Sequence, residues 1–256
     1  MDSIARDLST LGVREGMVLL VHSSLSSLGW VCGGPVAVIL ALERVLGPEG
    51  TLVLPTFSGD LSDPAQWRNP PVPESWWETI RETMPAFEPD LTPTRMMGVI
   101  PETFRKQKGV IRSNHPELSF SARGPLADKI TSGHQLDYGL GENSPLARVY
   151  ELDGRVLLCG VGHLNNTSIH LAEYRSRIPD QRELKLGAPI EFEGKRAWTT
   201  YANIEFREDL LAKIGEDFER ETDTVIRGKV AQADAKLFPQ RALVDFAVAW
   251  FERLAE

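Results

Sequence analysis

The sequence has few cysteines, no long apolar run and no cluster of basic residues. Its two cysteines, Cys32 and Cys159, lie far apart and fit no metal-ligand spacing, so we expect free thiols in a reducing compartment. No segment approaches the ~18–20 apolar residues of a membrane span. The N-terminal MDSIARDLST also lacks the basic and apolar regions of a secretion signal. We therefore expect a cytoplasmic protein with no membrane partner.

Basic residues are outnumbered by acidic ones, 28 to 36, which gives a net charge of −8. This excess repels phosphate backbones, so a nucleic-acid partner is not expected. The same charge attracts polycations, which is a first indication about the substrate. The composition does not indicate an oligomeric state.

The order of apolar patterns predicts an α/β fold. A chain of 256 residues, 42% apolar and 25% charged, is large enough to fold without disulfides or a structural metal. Spacing and turn residues predict, in order, a helix, a buried strand, a helix, a strand, a later buried strand and a helix, over residues 3–13, 17–21, 35–46, 51–57, 155–162 and 168–176. From about residue 185, short alternating runs predict antiparallel strands, followed by helices. The sequence therefore predicts a central mixed, largely parallel sheet flanked by helices, with an antiparallel C-terminal portion, and residues 1–256 as a single domain.

A segment rich in proline and tryptophan interrupts this pattern over residues 59–92. It holds Trp67, Trp76 and Trp77, half of the six tryptophans, together with six prolines. A long ordered loop in a compact domain is typical of a lid or binding loop, so we predict that it binds substrate. The alternative is a surface flap that packs its aromatic rings on the core.

Two strand-to-helix turns carry residues suited to chemistry, because ligands of open α/β sheets collect at the carboxyl ends of strands. The first, HSSLSSLG at 22–29, combines hydroxyl groups with a following helix N-terminus, an arrangement that favours phosphate. The second, NNTSIHLAE at 165–173, places His170 and Glu173 on one face of a helix that Thr167 or Ser168 caps. Each turn alone is weak evidence, since serines also cap turns and a His–Glu pair also occurs as a surface pair.

Two further segments are dense in polar groups. TPTRMMG at 92–98 opens a predicted helix that runs to about residue 104, and RSNHPELSFSARG at 112–124 contains proline and glycine and is not expected to form a regular helix. His134 and His163 lie in no such cluster, so we expect structural or solvated roles for them.

Taken together, these segments resemble the antibiotic N-acetyltransferase family, the aminoglycoside 3-N-acetyltransferases that use acetyl-CoA. The matching pieces occur in the family's order across roughly residues 15–240: VHSSLSSLGWVCGG, GTLVLPTFS, DPAQWRNPPVPESWW, TPTRMMGVIPETFR, RSNHPELSFSARG, GENSPLARVYELDGRVLLCGVGHLNNTSIHLAE and GKVAQADAKLF. The phosphate-binding loop of the common GNAT acetyltransferases is absent from the sequence.

The resemblance implies transfer of an acetyl group from acetyl-CoA to the 3-amino group of a 2-deoxystreptamine ring, conferring antibiotic resistance. An aliphatic amine is protonated at neutral pH and needs a general base, for which histidine is suited. His170 matches the base of the family's TSxHxxE motif, and Glu173 matches its carboxylate, which either orients the imidazole or holds a substrate ammonium group. His22 matches a second active-site histidine near the thioester. We expect Thr167 and nearby backbone amides to stabilise the developing oxyanion.

The resemblance also assigns residues to the two substrates. The CoA site is expected to comprise Ser23, Ser24, Leu25, Ser26, Arg95, Met97, Gly98, Arg112, Ser113, Ser119 and Phe120, with Arg112 pairing with the 3′-phosphate. Because an aminoglycoside carries several ammonium groups, the acceptor site is expected to use carboxylates: Asp60, Asp63, Asp137, Glu142 and Glu173.

Three alternatives remain open at this point. One keeps the fold, the CoA site and His170 but acetylates a different small amine. Another is a metal-dependent hydrolase that uses His22, His115 and His170, whereas the leading interpretation requires no metal. The third is a non-catalytic CoA-binding module. Direct transfer in a ternary complex is preferred to a covalent route through a cysteine, because nothing in the family pattern requires one.

Overall fold

The structure is a computed structural model and describes residues 1–254. Its helices and strands, in chain order, are α1 Asp2–Leu11, β1 Val18–Ser23, α2 Gly34–Leu46, β2 Thr51–Pro55, α3 Trp77–Thr83, α4 Val99–Phe104, β3 Ile111–Arg112, β4 Phe120–Arg123, α5 Ala127–Thr131, α6 Pro145–Glu151, β5 Arg155–Cys159, α7 Ser168–Arg175, β6 Glu183–Phe192, β7 Lys195–Ile204, α8 Leu211–Glu221, β8 Ile226–Val230, β9 Ala233–Pro239 and α9 Gln240–Arg253.

Strands from both ends of the chain form one seven-stranded sheet in the order β3-β4-β2-β1-β5-β9-β8. The central strand β1 pairs in parallel with β2 and β5, and the outer strands join antiparallel to their neighbours. The predicted α/β fold with a central mixed sheet flanked by helices is thus confirmed, and the parallel pairing lies at its centre. The antiparallel C-terminal pattern is confirmed as well, since β6 and β7 form a separate two-stranded hairpin over ten residue pairs.

Helices cover both faces of the seven-stranded sheet. Leu20 of β1 points into a core built with α5 to α9, whereas Leu19 and Val21 point into a core built with α1, α2 and α4. Because both faces are buried, β1 reads as a continuous apolar run instead of an alternating one. Burial of these apolar surfaces is the main favourable contribution to the stability of such a fold.

The helices that follow the parallel strands β1 and β5 lie on opposite faces of the sheet. The α2 helix after β1 packs in the core that contains Leu19, and the α7 helix after β5 packs in the core that contains Leu20. The carboxyl ends of the two strands lie side by side, with Ser23 paired to Cys159. Such a divergence opens a crevice at the strand ends, where α/β proteins bind ligands.

The proline- and tryptophan-rich segment is more regular than its composition predicts. After three short 3₁₀ turns it forms α3, and it then packs against the β6–β7 hairpin. Phe87 N–H donates to the carbonyl of Pro189 at 3.0 Å, and the Arg196 Nε donates to the carbonyl of Met84 at 3.0 Å. The segment is therefore held in place by the hairpin and by its own turns.

Two predicted boundaries differ from the structure. The helix expected to open at 92 begins only at Val99, because Pro93 disfavours helical geometry before it and Met96 and Gly98 adopt positive φ of 58° and 85°. The strands β8 and β9 near the C-terminus occupy residues where only helices were expected. No helix within residues 1–254 combines the length and apolarity that a bilayer crossing demands.

The close approach of Gly215 in α8 to His163, in the turn before α7, predicts that alanine at position 215 destabilises the protein. A Cβ added at Gly215 would lie 1.9 Å from Cγ of His163 and 2.4 Å from its Cβ, so the ring cannot turn away. Alanine normally stabilises a helix interior relative to glycine by about 1 kcal/mol. Here we expect Gly215→Ala to lower the free energy of unfolding by about 1–3 kcal/mol, measured by denaturant titration.

The matched control is the pair Gly215→Ala with His163→Ala. Removing the ring removes the contacts at Cγ and Cδ2 and leaves the one at Cβ, so the double variant should lose less stability than the sum of the single variants. A Gly215→Ala variant that unfolds at higher denaturant than the parent would contradict the expected packing.

Candidate active site

The serine-rich turn after β1 is tied to the end of β5 by hydrogen bonds. Ser24 N–H donates to the carbonyl of Cys159 at 3.0 Å, and the Ser27 hydroxyl donates to the carbonyl of Gly160 at 3.0 Å. The hydroxyls of Ser24 and Ser26 lie 3.0 Å apart. Within residues 1–254 the buried Ser23 hydroxyl has no hydrogen-bond partner. The turn thus presents one unpaired hydroxyl and a short chain of hydroxyls at the crevice.

A cleft of about 680 Å³ opens beside this turn. It is lined by Ser23, Ser24, Leu25, Ser26, Gly29, Trp30, Val31, Gly34, Met96, Met97, Gly98, Val99, Ile100, Val161 and Asn165. Gly34 is the first residue of the 13-residue helix α2. Free N–H groups and the helix dipole at such an end favour a negatively charged group. The cleft therefore combines an anion-binding end with apolar walls.

A smaller cavity of about 330 Å³ adjoins the cleft and contains the predicted catalytic residues. Its lining shares five residues with the cleft, namely Ser23, Met96, Met97, Val161 and Asn165, and adds His22, Thr167 and His170. The structure thus brings together three of the four predicted catalytic residues at the end of the predicted CoA turn.

The fourth, Glu173, lies behind His170 and is buried. The His170 Nδ1 lies 3.3 Å from Oε2 of Glu173, and the other carboxylate oxygen accepts the backbone N–H of Arg207 at 3.0 Å. The Glu173 side chain has 0% exposure. The ring of His170 also packs on Phe206, with centroids 4.3 Å apart. These contacts fix the Nδ1–H tautomer and leave the Nε2 lone pair for the cavity.

His22 faces Thr167 across the cavity. Its Nε2 lies 3.5 Å from the Thr167 hydroxyl. Burial, together with the charges of His170 and His163, lowers the pKa of His22 to about 3, so His22 is neutral at physiological pH. Thr167 is the N-cap residue of α7, but its side chain accepts no N–H group of the helix. The Asn166 side chain instead accepts the Ser168 N–H at 3.3 Å. The expected cap by Thr167 or Ser168 is therefore replaced by Asn166, which leaves the Thr167 hydroxyl in the cavity.

The second predicted wall of the CoA site divides into two sets. Met97 and Gly98 line the cleft, and the exposed Arg95 beside them pairs with Asp60 at 3.4 Å. The other set is buried away from the cleft: Arg112, Ser113, Ser119 and Phe120.

Arg112 is a structural residue in this arrangement. Its guanidinium donates to the carbonyls of Thr56 at 2.7 Å and Pro89 at 3.0 Å and to the Ser119 hydroxyl at 3.0 Å. It also lies 5.0 Å from the centroid of the Phe87 ring. The donors expected for the 3′-phosphate are thus used to anchor the proline-rich segment, which corrects the predicted role.

The predicted acceptor carboxylates also separate. Asp63 forms a bidentate ion pair with Arg81 at 2.7 and 3.0 Å and accepts the Ala65 N–H, which indicates a structural role. Three of the five come together, since Asp137, Glu142 and Glu173 line one cavity of about 420 Å³, distinct from the cavity around His170. Glu142 is paired with Arg175 at 2.6 Å, which lowers the pKa of Glu142. None of the three predicted tryptophans lines the cavity around His170.

The remaining histidines serve packing. His115 accepts the N–H groups of Glu117 and Leu118 at Nδ1, and its Nε2 lies 3.2 Å from the carbonyl of Leu136. Both ring nitrogens are therefore engaged, so His115 cannot be the third ligand of the metal-dependent alternative. Across residues 1–254 there is no group of three or more histidine, cysteine or acidic side chains arranged to hold a metal ion.

The cysteines differ in exposure, and neither lines the reaction cavity. Burial raises the pKa of Cys159 to about 12, which keeps its thiol protonated, whereas Cys32 is exposed. A thiol that stays protonated is a poor nucleophile.

The sequence did not predict several of the residues that line the cleft and the cavity around His170. Trp30 and Met96 are 87% and 89% exposed, and their apolar character gives no signal that separates them from core residues. Glu208 is distant in sequence from His170 and enters the cavity through the turn before α8. The mixture of apolar cleft and anion-binding end defines a site for an acyl carrier and a nucleophile, as in acyltransferases.

Comparison with known sequences identifies the family of acyltransferases to which the chain belongs. The chain belongs to the aminoglycoside 3-N-acetyltransferase family, whose pattern it matches over residues 20–252, and it is an acetyltransferase. It is 52% identical to the "SPbeta prophage-derived aminoglycoside N(3')-acetyltransferase-like protein YokD" of Bacillus subtilis (strain 168), over 97% of this chain and 91% of the relative. It is 36% identical to "Aminoglycoside N(3)-acetyltransferase VII" of Streptomyces paromomycinus, over 97% of this chain and 90% of that enzyme.

Solved structures give the same family. The YokD crystal structure from Bacillus subtilis superposes with a TM-score of 0.96 at 51% identity, covering 98% of this chain and 93% of that one. A structure described as "AAC-IIIb binary with CoASH" gives 0.88 at 32% identity, covering 98% and 96%. One described as "AAC-VIa bound to Sisomicin" gives 0.89 at 30% identity, covering 98% and 96%.

The buried histidines predict a loss of stability in acid. Burial is the main cause that lowers the pKa of His22 and His115 to about 3 and of His134 to about 4, below their ordinary 6.5. Between these values the unfolded chain binds more protons, so the free energy of unfolding falls as pH drops below about 6.5. Burial also raises the pKa of Glu117 from 4.5 to about 7, which offsets part of this loss.

We expect these four groups to give a net uptake of about two protons on unfolding at pH 5. Calorimetry at pH 5 and pH 8, in buffers with different heats of ionisation, measures the uptake. A melting temperature that does not change between pH 5 and pH 8 would contradict the neutral state of the buried rings.

Proposed function

We propose that the protein transfers an acetyl group from acetyl-CoA to the 3-amino group of an aminoglycoside, with His170 as general base and direct transfer in a ternary complex. The observation that carries this proposal is the orientation of His170. Its Nδ1 is held by the buried Glu173, and its ring lines the cavity that adjoins the serine-lined cleft. A base is thus positioned where two substrates can meet.

The ammonium form of the acceptor first loses one proton to solvent. As the neutral amine forms the C–N bond with the thioester carbon, His170 Nε2 takes the second proton from the nitrogen, the C–S bond breaks, and this proton passes from Nε2 to the leaving thiolate of CoA. Glu173 stabilises the imidazolium in the interval, because its carboxylate contacts Nδ1. A positioned base of this kind contributes about 10²- to 10⁴-fold to the rate.

Thr167 and His22 lie on the side of the cavity to which we assign the thioester oxygen. The Thr167 hydroxyl is free of capping and is the donor we assign to the developing oxyanion, and the neutral His22 positions that hydroxyl. The CoA chain is assigned to the cleft of Ser23 to Ser26, Met97 and Gly98. The unpaired Ser23 hydroxyl and the N-terminus of α2 suit its polar and anionic groups.

Direct transfer is favoured over an acyl-enzyme because the cavity offers no activated cysteine. Cys159 is buried with its thiol protonated, and the cavity around His170 is lined by neither cysteine. The CoA-bound relative supports acetyl-CoA as the donor, and the sisomicin-bound relative supports an aminoglycoside as the acceptor. We place the resulting resistance activity in the cytoplasm.

A second candidate keeps the mechanism and changes the acceptor to another small amine. The observation in its favour is that the 52%-identical relative is named only as aminoglycoside acetyltransferase-like, whereas the relative named as an enzyme is 36% identical. The two candidates predict different products from the same donor.

An amine panel separates these candidates. We expect purified protein with acetyl-CoA and gentamicin-like aminoglycosides to release free thiol, with acetylation at N3 identified by mass spectrometry and NMR. Turnover of other amines without aminoglycosides would replace the first candidate by the second, and unchanged activity in EDTA is expected in either case.

The role of His170 is tested by substitution. We expect His170→Ala to lower kcat by about 100-fold or more, because the amine then has no base. Glu173→Gln should lower kcat, since the partner of Nδ1 loses its charge. His163→Ala is the matched control, because His163 is also buried beside a glutamate, Glu219 at 2.8 Å, and does not line the cavity. Activity in His170→Ala close to that of the control would exclude His170 as the base.

A further inference from the structure

Three consecutive residues at the start of α7 are of types that cap helices, namely Asn166, Thr167 and Ser168. Asn166 has non-helical backbone angles, φ −87° and ψ 88°, whereas Thr167 is already helical at φ −61° and ψ −17°. The Asn166 Oδ1 accepts the Ser168 N–H at 3.3 Å, and the Ser168 hydroxyl accepts a hydrogen bond from the Gln240 amide at 3.2 Å. Asn166 therefore supplies the side-chain cap of α7.

Asn166 and Thr167 point to different sides of the turn. Asn166 is fully buried, and its Nδ2 donates to Nδ1 of His163 at 3.2 Å. Thr167 lines the cavity around His170, and its hydroxyl lies 3.5 Å from Nε2 of His22. The oxygen that caps the helix and the oxygen available to a substrate thus belong to adjacent residues.

Threonine is itself a good capping residue, so Thr167 competes with Asn166 for the end of the helix. A cap by Thr167 would bind the N–H groups of Ile169 and His170, because a capping oxygen accepts from the second or third residue after it. These groups now donate to main-chain carbonyls of the turn at 3.3 and 3.1 Å. When the Asn166 oxygen is removed, a rotation of Thr167 out of the helical region brings its hydroxyl onto these N–H groups and away from the cavity.

We propose that Asn166 is a positioning residue: it occupies the cap of α7 and thereby keeps the Thr167 hydroxyl in the cavity, where it can stabilise the oxyanion. The catalytic part of this inference rests on the proposed function, which assigns that hydroxyl to the thioester oxygen. The structural part, the competition of two side chains for one cap, holds whichever reaction the protein catalyses. The two residues are therefore coupled in the reaction rate and, with the opposite sign, in stability.

The test is a double-variant cycle of the full chain with Asn166→Ala and Thr167→Val, singly and together. Loss of one oxyanion donor costs about 10²- to 10³-fold in kcat. We expect Asn166→Ala to lower kcat about 10-fold or more, with the KM for acetyl-CoA changed less than about 3-fold. In the Thr167→Val background the same substitution should change kcat less than about 2-fold, because the hydroxyl is already absent.

Stability measured by denaturant titration should show the reverse coupling. In the parent, Thr167 takes over the cap when Asn166 is replaced, whereas in the Thr167→Val background valine cannot. We expect Asn166→Ala to raise the equilibrium constant for unfolding about 5-fold more in that background than in the parent, the usual effect of a lost cap. The contact with His163 is lost in both backgrounds, so its contribution cancels.

Asn166→Ser is the matched control, because serine keeps a capping oxygen and removes the amide that contacts His163. It should keep kcat within about 3-fold of the parent. An equal loss of kcat in Asn166→Ser and Asn166→Ala, or additive effects in either cycle, would overturn the inference.

The two cycles also separate this inference from the proposed function. If the stability cycle shows the expected coupling but the parent acetylates no amine, the competition for the cap stands and the proposed function fails. If the parent acetylates amines and both cycles are additive, the proposed function stands and the inference fails.

Discussion

The chemistry of the site depends on one buried carboxylate that is held at both oxygens. Glu173 contacts the imidazole of His170 with one oxygen and accepts a backbone N–H with the other. Because its side chain is buried and both oxygens are engaged, the carboxylate orients His170. Glu173 also belongs to the lining of the cavity that contains Asp137 and Glu142, so the carboxylate that contacts His170 adjoins a second, acidic cavity.

The sheet topology explains why the serine-lined cleft and the cavity around His170 share residues. The helices after β1 and β5 leave toward opposite faces, so the crevice between the strand ends receives the serine turn from one strand and His170 from the helix that follows the other. Ser23 is paired with the last residue of β5 and lines both cavities. The distance between the serine turn and His170 is therefore set by a buried sheet.

Periodicity predicted the central strands and their helices because each buries a strong apolar pattern. It missed β8, because Ile226 to Val230 is mostly exposed. It also missed β9, although Ala233 to Leu237 alternates apolar and charged residues. The family resemblance grouped His22, Thr167 and His170 correctly in space, but it assigned Arg112 to a ligand. Sequence cannot show that a cation is buried among carbonyl oxygens from distant segments, nor that Glu208 reaches a cavity built from other parts of the chain, since both depend on tertiary packing.

Arg112 makes its hydrogen bonds to uncharged oxygens and is buried, unlike the exposed pair of Arg95 and Asp60. Ionic strength screens exposed charges over a Debye length of about 8 Å at physiological salt, but it has little effect on a buried guanidinium bonded to carbonyls. The anchor that Arg112 provides for the proline-rich segment is consequently insensitive to salt. Added salt therefore weakens long-range attraction of a polycation to the acidic surface while the architecture of the site is retained.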